Sequence, residues 1–226
     1  MNVCALIAAF NEAPTVGAVA GGVREHVAHV VVVDDGSADG TAEAAISAGA
    51  EVVKHPANRG KGAAIRSGLD AVLPRPFTHV LLLDGDGQHD PRDAPALIAA
   101  AKASGADLVI GERPFSKATM PASRYYTNMI SSWVISRVFI GTTVADAQSG
   151  YRLVKTDALR SLTLSARGYE IETEMLIKLA RRGGRTARAR IGLHYGSGRS
   201  KLRPIRDTTR TCVLAVRYRF FPTRIQ

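Results

Sequence analysis

The sequence predicts an α/β domain with a predominantly parallel central sheet and helices on both faces. Three observations carry that prediction. Short β-branched runs alternate with longer amphipathic stretches through the first half of the 226 residues, the pattern of a parallel sheet joined by crossover helices. The runs Val30-Val31-Val32-Val33 and Val80-Leu81-Leu82-Leu83 are apolar at every residue, as strands covered on both faces must be. Polar residues gather just after the predicted strands, at Asn11-Glu12, Asp34-Asp35 and Asp84-Gly85-Asp86. In an open α/β sheet that edge holds the ligand crevice.

Each element follows in order. Residues 3–9 read as the first strand and 16–29 as its helix, then 30–33 as a buried strand and 39–49 as a short helix. A strand at 51–54, a helix at 61–73, a buried strand at 80–83, a helix at 91–104 and a strand at 107–110 continue the alternation. The second half is less regular. Residues 121–139 are predicted helical with an approximate apolar stripe through Tyr126, Met129, Ile130, Trp133, Val134 and Val138. Residues 171–182 read as another helix, 186–195 as a strand with one wet face, and 203–221 as a terminal basic helix.

Composition bounds the class. Hydrophobic residues make up 46% of the chain, enough for a sizeable core. The formal charge of +10 is uneven: residues 1–180 carry 17 basic against 19 acidic residues, whereas residues 181–226 carry 13 basic against the single acid Asp207. That asymmetry points to a local anionic partner at the C-terminal end. Residues 1–202 are read as the main domain and 203–226 as a basic amphipathic extension suited to a membrane surface. Cys4 and Cys212 lack CxxC spacing, so a reducing compartment is expected. No secretory signal and no apolar run of roughly 18 residues is read, so no membrane span is expected.

The sharpest chemical signal is Asp84-Gly85-Asp86-Gly87-Gln88-His89-Asp90 after the buried strand at 80–83. Extended residues at i and i+2 point the same way, so Asp84 and Asp86 can aim two carboxylates at one ligand. Hard oxygen donors suit Mg²⁺ or Mn²⁺, with phosphate supplying further ligands. Gln88 is a third candidate ligand, and His89 reads as structural. In Asp34-Asp35-Gly36-Ser37, either aspartate is a candidate contact for a nucleotide base or ribose while the other orients the turn. Asn58-Arg59-Gly60-Lys61-Gly62 sets two cations among flexible positions facing phosphates, without Walker spacing.

Together these segments resemble family 2 glycosyltransferases of the GT-A Rossmann-like fold, and within them the dolichyl-phosphate and polyprenyl-phosphate sugar synthase branch. Gly111-Glu112-Arg113 and Asp146-Ala147-Gln148-Ser149-Gly150-Tyr151-Arg152 add to the likeness, which runs from Val3 to about Arg203. The resemblance implies that Glu12 and Asp35 contact the base and ribose region of a nucleotide sugar; the residue reading adds Asp34 as the alternative to Asp35 and Lys61 as a donor-phosphate contact. It implies a metal-diphosphate site at Asp84 and Asp86, with Gln88 nearby. Arg113 and Arg124 are implied phosphate contacts, joined by Arg199 and Lys201 in the basic segment 196–201. Asp146 is the candidate base for a hydroxyl acceptor, or else a sugar contact, with Gln148 and Arg152 shaping the pocket. The chain departs from the family by having Ala8-Ala9-Phe10 where a proline usually precedes the Asn-Glu turn.

The resemblance thus implies an inverting, metal-dependent hexosyltransferase taking a UDP- or GDP-sugar and polyprenyl phosphate. It would sit on the cytoplasmic face of an anionic membrane, compatible with a membrane-protein partner. Three other readings stay open here: a family 2 enzyme with a hydroxyl acceptor, a nucleotidyltransferase, and a nonenzymatic basic binding protein. No zinc finger or aromatic RNA-binding pair supports specific nucleic-acid binding.

Overall fold

In a computed structural model, β1 (Val3–Ala9) is an interior strand of a seven-stranded sheet. The structure describes residues 1–113, 129, 132–133, 135–136, 146–192, 209, 211, 213–214 and 218. The period-2 alternation of β1 sorts its side chains cleanly. Val3, Ala5, Ile7 and Ala9 enter one hydrophobic layer, and Cys4 and Leu6 enter the other. β2 (His29–Asp34) and β4 (His79–Asp84) do the same with their all-apolar runs: Val30, Val32, Leu81 and Leu83 face one way, and Val31, Val33, Val80 and Leu82 the other. Both faces are covered, which is why neither strand carries a polar residue in its centre.

The first layer is closed by α1 (Ala13–Arg24), α2 (Thr41–Ser47) and α4 (Ala94–Ser104), through Val16, Val19, Val23, Ala45 and Leu97. The second is closed by α3 (Lys61–Val72), α5 (Thr156–Arg160) and α6 (Ile171–Arg181), through Ile65, Leu69, Leu159, Met175 and Leu176. β3 (Glu51–Lys54) is one edge, and β5 (Leu108–Glu112), β6 (Arg152–Lys155) and β7 (Thr186–Arg190) complete the order β3-β2-β1-β4-β6-β5-β7.

β6 runs antiparallel to both β4 and β5, and every other pairing is parallel. The mostly parallel sheet with helices on both faces is therefore as the sequence predicts, with one reversed strand inserted. Neither β6 nor α5 is anticipated by the sequence reading. Several boundaries also move for local reasons. The first helix begins at Ala13 with Pro14 in its opening turn, where a missing N–H does no harm, and it ends at Arg24 rather than 29. The second begins at Thr41, just after Asp39, whose carboxylate bridges the two helix starts by accepting the Ala13 N–H at 3.1 Å and the Thr41 N–H at 3.2 Å. Residues 91–93 form a 3₁₀ turn capped by Asp90 before α4 starts at Ala94. The predicted helices over 121–139 and 203–221, and the end of the strand at 193–195, fall largely outside the described residues.

Candidate active site

Parallel register brings three polar turns to one sheet edge. Ala9 pairs with Asp34 and Ala8 with Asp84, so the carboxyl ends of β1, β2 and β4 lie side by side. Asn11 adopts a left-handed φ of 50°, a conformation asparagine tolerates better than most residues. Its N–H donates to Ser37 Oγ (2.8 Å) and its Oδ1 accepts the Ala38 N–H (2.9 Å), tying the first turn to the second. The Thr15 hydroxyl donates to the Gly85 carbonyl (2.7 Å), tying the first turn to the third. Glu12, half-buried, donates its N–H to Thr41 Oγ1 and places its carboxylate 3.5 Å from Thr15 Oγ1.

The two aspartates of the second turn are both buried but differently engaged. Asp35 Oδ1 accepts the Arg59 N–H and Oδ2 the Gly60 N–H (3.0 and 2.8 Å), and Oδ1 lies 2.6 Å from His55 Nδ1. The far side of the His55 ring meets Ser67 Oγ at 2.9 Å. Asp34 Oδ1 accepts the Ser37 N–H, whereas Oδ2 is buried with no hydrogen-bond donor among the described residues and Lys54 Nζ 3.9 Å away. Asp35 thus orients the loop carrying Gly60, and the oxygen open to a further donor belongs to Asp34.

That loop aims Lys61. Gly60 has φ +92°, and a Cβ on Gly62 would lie 2.2 Å from the Ala166 carbonyl oxygen, so the two glycines permit close approach to residues 166–167. The Gly62 N–H donates to the Arg167 carbonyl at 2.9 Å. Held there, Lys61 Nζ lies 2.6 Å from Asp84 Oδ1 and 2.6 Å from Glu172 Oε1, with the Tyr169 ring 5.2 Å away. Lys61, expected to face donor phosphates, is paired with two carboxylates here. Burial works against its ammonium, but Asp84 and Glu172 outweigh that and hold it charged.

Burial alone would raise the Asp84 carboxyl, yet Lys61 overrides it and keeps it below the ordinary range. Asp86 has no ion-pair partner among the described residues. Burial, and then the Asp84 charge, push it up to about 6, although its Oδ1 accepts the Gln88 N–H at 3.0 Å. An acidic pair short of positive charge, made of hard oxygen donors, fits Mg²⁺ or Mn²⁺. Among the described residues no group of three or more His, Cys, Asp or Glu side chains is arranged to hold a metal. Among the described residues the site thus offers the carboxylates of Asp84 and Asp86, with half-buried Gln88 two residues on. His89 is buried against the Tyr151 ring and its Nδ1 faces the Asp84 N–H (3.3 Å). Burial lowers its pKa to about 4, so it stands neutral behind the site.

The reversed strand supplies the remaining wall. Because β6 is antiparallel, the residues before it, 146–151, arrive at the edge where the parallel strands end. Asp146 is fully buried, and the Arg113 guanidinium forks onto both its oxygens at 2.6 and 2.9 Å. Arg152, also fully buried, donates to the carbonyls of Ala147, Ser149 and Glu172. It clamps the 147–149 turn, with half-buried Gln148, to the start of α6. On α6, Glu172 and Glu174 point opposite ways. Glu174 accepts from Ser165, Ala166 and the Tyr218 hydroxyl, away from Lys61. The Glu172–Lys61 pair and the His55–Ser67 relay were not read from the sequence. Their only signal there is a charged or polar residue inside an otherwise apolar helical face. Arg124, Arg199 and Lys201 lie outside the described residues.

Comparison with known proteins places the chain. Residues 4–163 match the family described as glycosyl transferase family 2. The chain is 38% identical over 188 residues to "Glycosyltransferase AglJ" of Haloferax volcanii, a match covering 81% of this chain but 60% of that longer protein. It is 33% identical over 198 residues to an undecaprenyl-phosphate mannosyltransferase of Micrococcus luteus, covering 82% of this chain and 80% of that one. Among solved structures, glucosyl-3-phosphoglycerate synthase from Mycobacterium tuberculosis, bound to Mn²⁺, UDP-glucose and phosphoglyceric acid, superposes with a TM-score of 0.77 at 23% identity. That likeness covers 96% of this chain and 79% of the other, and it is a likeness of fold.

Proposed function

Because the chain belongs to glycosyl transferase family 2, we propose that it transfers a hexose from a UDP- or GDP-sugar to polyprenyl phosphate with inversion at the anomeric carbon. Asp84 and Asp86 would hold Mg²⁺ or Mn²⁺. The bound cation supplies positive charge against the leaving diphosphate. Glu12 and the Asp34-Asp35 turn face the nucleoside end of the donor at the first two strand ends. An acceptor phosphate oxygen attacks the anomeric carbon, the bond to the donor diphosphate breaks, and UDP or GDP departs. Arg113, whose fork is taken up by Asp146, is proposed as a phosphate contact beside that pair, with Arg124, Arg199 and Lys201 joining it.

The observation that carries the acceptor class is the state of Asp146. A hydroxyl acceptor needs a base, and the candidate carboxylate is buried with both oxygens forked by Arg113. A phosphate oxygen is already anionic near neutral pH and needs none. The acceptor named for the Micrococcus relative supports the same class. So does the C-terminal charge: near an anionic surface each Lys or Arg contributes about 1 kcal/mol. Residues 203–226 are accordingly proposed as a contact with the cytoplasmic face of a membrane, alone or beside a membrane protein. Met129, Trp133 and Val213 stand exposed as large apolar side chains. No helix among the described residues is long and apolar enough to cross a bilayer.

The test is a matched acceptor panel: polyprenyl phosphate, polyprenyl alcohol and 3-phosphoglycerate, each with UDP- and GDP-sugars and Mn²⁺ or Mg²⁺. The expected result is a glycolipid from the phosphate, equimolar release of nucleoside diphosphate, and loss of turnover on chelation. Preference for either hydroxyl acceptor overturns the acceptor assignment. Release of pyrophosphate overturns the reaction class.

A further inference from the structure

Lys61 stands where a divalent cation would have to compete with it. Its ammonium contacts Asp84, and Asp84 is also the first carboxylate of the pair after β4. The placement is built into the chain. The glycines on either side let the loop press against residues 166–167, and Asp35 fixes the preceding backbone through the Arg59 and Gly60 N–H groups. Glu172, 3% exposed, holds the same ammonium from α6 and is itself outside the Asp84–Asp86 pair.

Charge decides what this arrangement does. Asp84, Asp86 and Glu172 with Lys61 sum to a formal charge of −2 when all are ionised, and one of the cation's two carboxylates is already engaged. A divalent ion entering alone must displace or face the ammonium. A nucleoside diphosphate entering with it brings the negative charge that offsets this repulsion.

We propose that Lys61 is the resident counter-cation of the Asp84–Asp86 site, held ready by Glu172, and that it makes divalent-metal binding depend on the nucleotide diphosphate. Without nucleotide Lys61 occupies Asp84. When metal and diphosphate arrive together it releases Asp84 and keeps Glu172. The inference rests on reading Asp84 and Asp86 as a metal site, and it assigns Lys61 and Glu172 as positioning residues for that site.

Mn²⁺ affinity, read by the electron paramagnetic resonance signal of free Mn²⁺ with and without UDP or GDP, tests it without any turnover. The native chain should bind Mn²⁺ at least about tenfold more tightly with nucleotide than without. Lys61→Gln should raise the nucleotide-free affinity about tenfold and shrink the nucleotide effect. Glu172→Gln leaves Asp84 as the remaining carboxylate partner of Lys61, so it should weaken nucleotide-free binding. A gain of affinity in Lys61→Gln is not what a merely damaged fold produces. If that variant does not fold, Lys61→Met, which also removes the ammonium, carries the test with the same expected gain. Unchanged or weaker Mn²⁺ binding by folded Lys61→Gln, or unchanged binding by Glu172→Gln, overturns the inference while Asp84→Asn still reports on the metal site. No Mn²⁺ binding by the native chain even with nucleotide overturns the metal site and this inference together.

Discussion

The Arg113 guanidinium donates to both oxygens of Asp146, so neither residue can be altered without changing the other. If Asp146 acts by holding Arg113, then Arg113→Ala, Asp146→Ala and the double variant should each lower kcat by a similar factor, about 10- to 100-fold. A double-mutant cycle then shows strong non-additivity. A base role predicts instead that Asp146→Asn alone removes the acidic limb of the pH–rate profile. Gly62 offers a purely steric test. An added methyl would lie 2.2 Å from the Ala166 carbonyl oxygen, a backbone atom that cannot swing aside. Gly62→Ala should cost about 1–3 kcal/mol, read as a lower denaturant midpoint. At this scale the sequence exposes residue type but not engagement. That Asp84 and Asp86 follow a buried strand is legible from the pattern, whereas the division of labour between Asp34 and Asp35 depends on N–H groups 24 and 25 residues away.

Among the elements, Glu51 on β3 pairs with His29 on β2 and with Arg75 beyond α3, at 2.6–2.8 Å. The Arg75 hydrogen bonds, then those of His29, draw the Glu51 carboxyl down from 4.5 to about 2. Its folded-state pKa lies below the unfolded one, so the stabilisation is complete above about pH 4.5 and fades as pH falls towards 2. The pair is over a third exposed, so solvent screening keeps its worth within about 1 kcal/mol. Glu51→Gln should therefore lower the Tm by about 2–4 °C at pH 7, and the gap to the native chain should close below pH 4.5 in thermal melts. Elements with clean periods were legible: β1, β3, α3 and α6 lie within a residue of their predicted bounds. β6 was not, because it is four residues long and opens on Arg152, a charged residue buried on three carbonyls from two other segments. Pattern reading treats such a residue as surface or site, never as strand.

For the whole molecule, the C-terminal stretch read as an extension is anchored to the domain at Tyr218. Its hydroxyl donates to Glu174 at 2.6 Å, its carbonyl accepts from Arg181, and its ring lies under the Lys178 ammonium. Removing residues 203–226 should lower the Tm even without a membrane, and Tyr218→Phe should reproduce part of that loss. No local pattern foretells this contact, since it joins an apolar position near one end of the chain to a helix 40 residues earlier. The strand order carries a longer-range effect. β3, β2, β1 and β4 all come from residues 3–84, but the neighbour of β4 is β6, which starts at Arg152. While the chain is being synthesised, the free flank of β4 must wait for some seventy further residues before anything can bond to it. β5, made earlier, reaches β4 only through that latecomer. Pulsed amide labelling during refolding should accordingly protect Ala5–Ile7 and Val31–Val33 before Leu108–Ile110, leaving an interval in which the nascent protein exposes a sticky margin and is most in need of a chaperone.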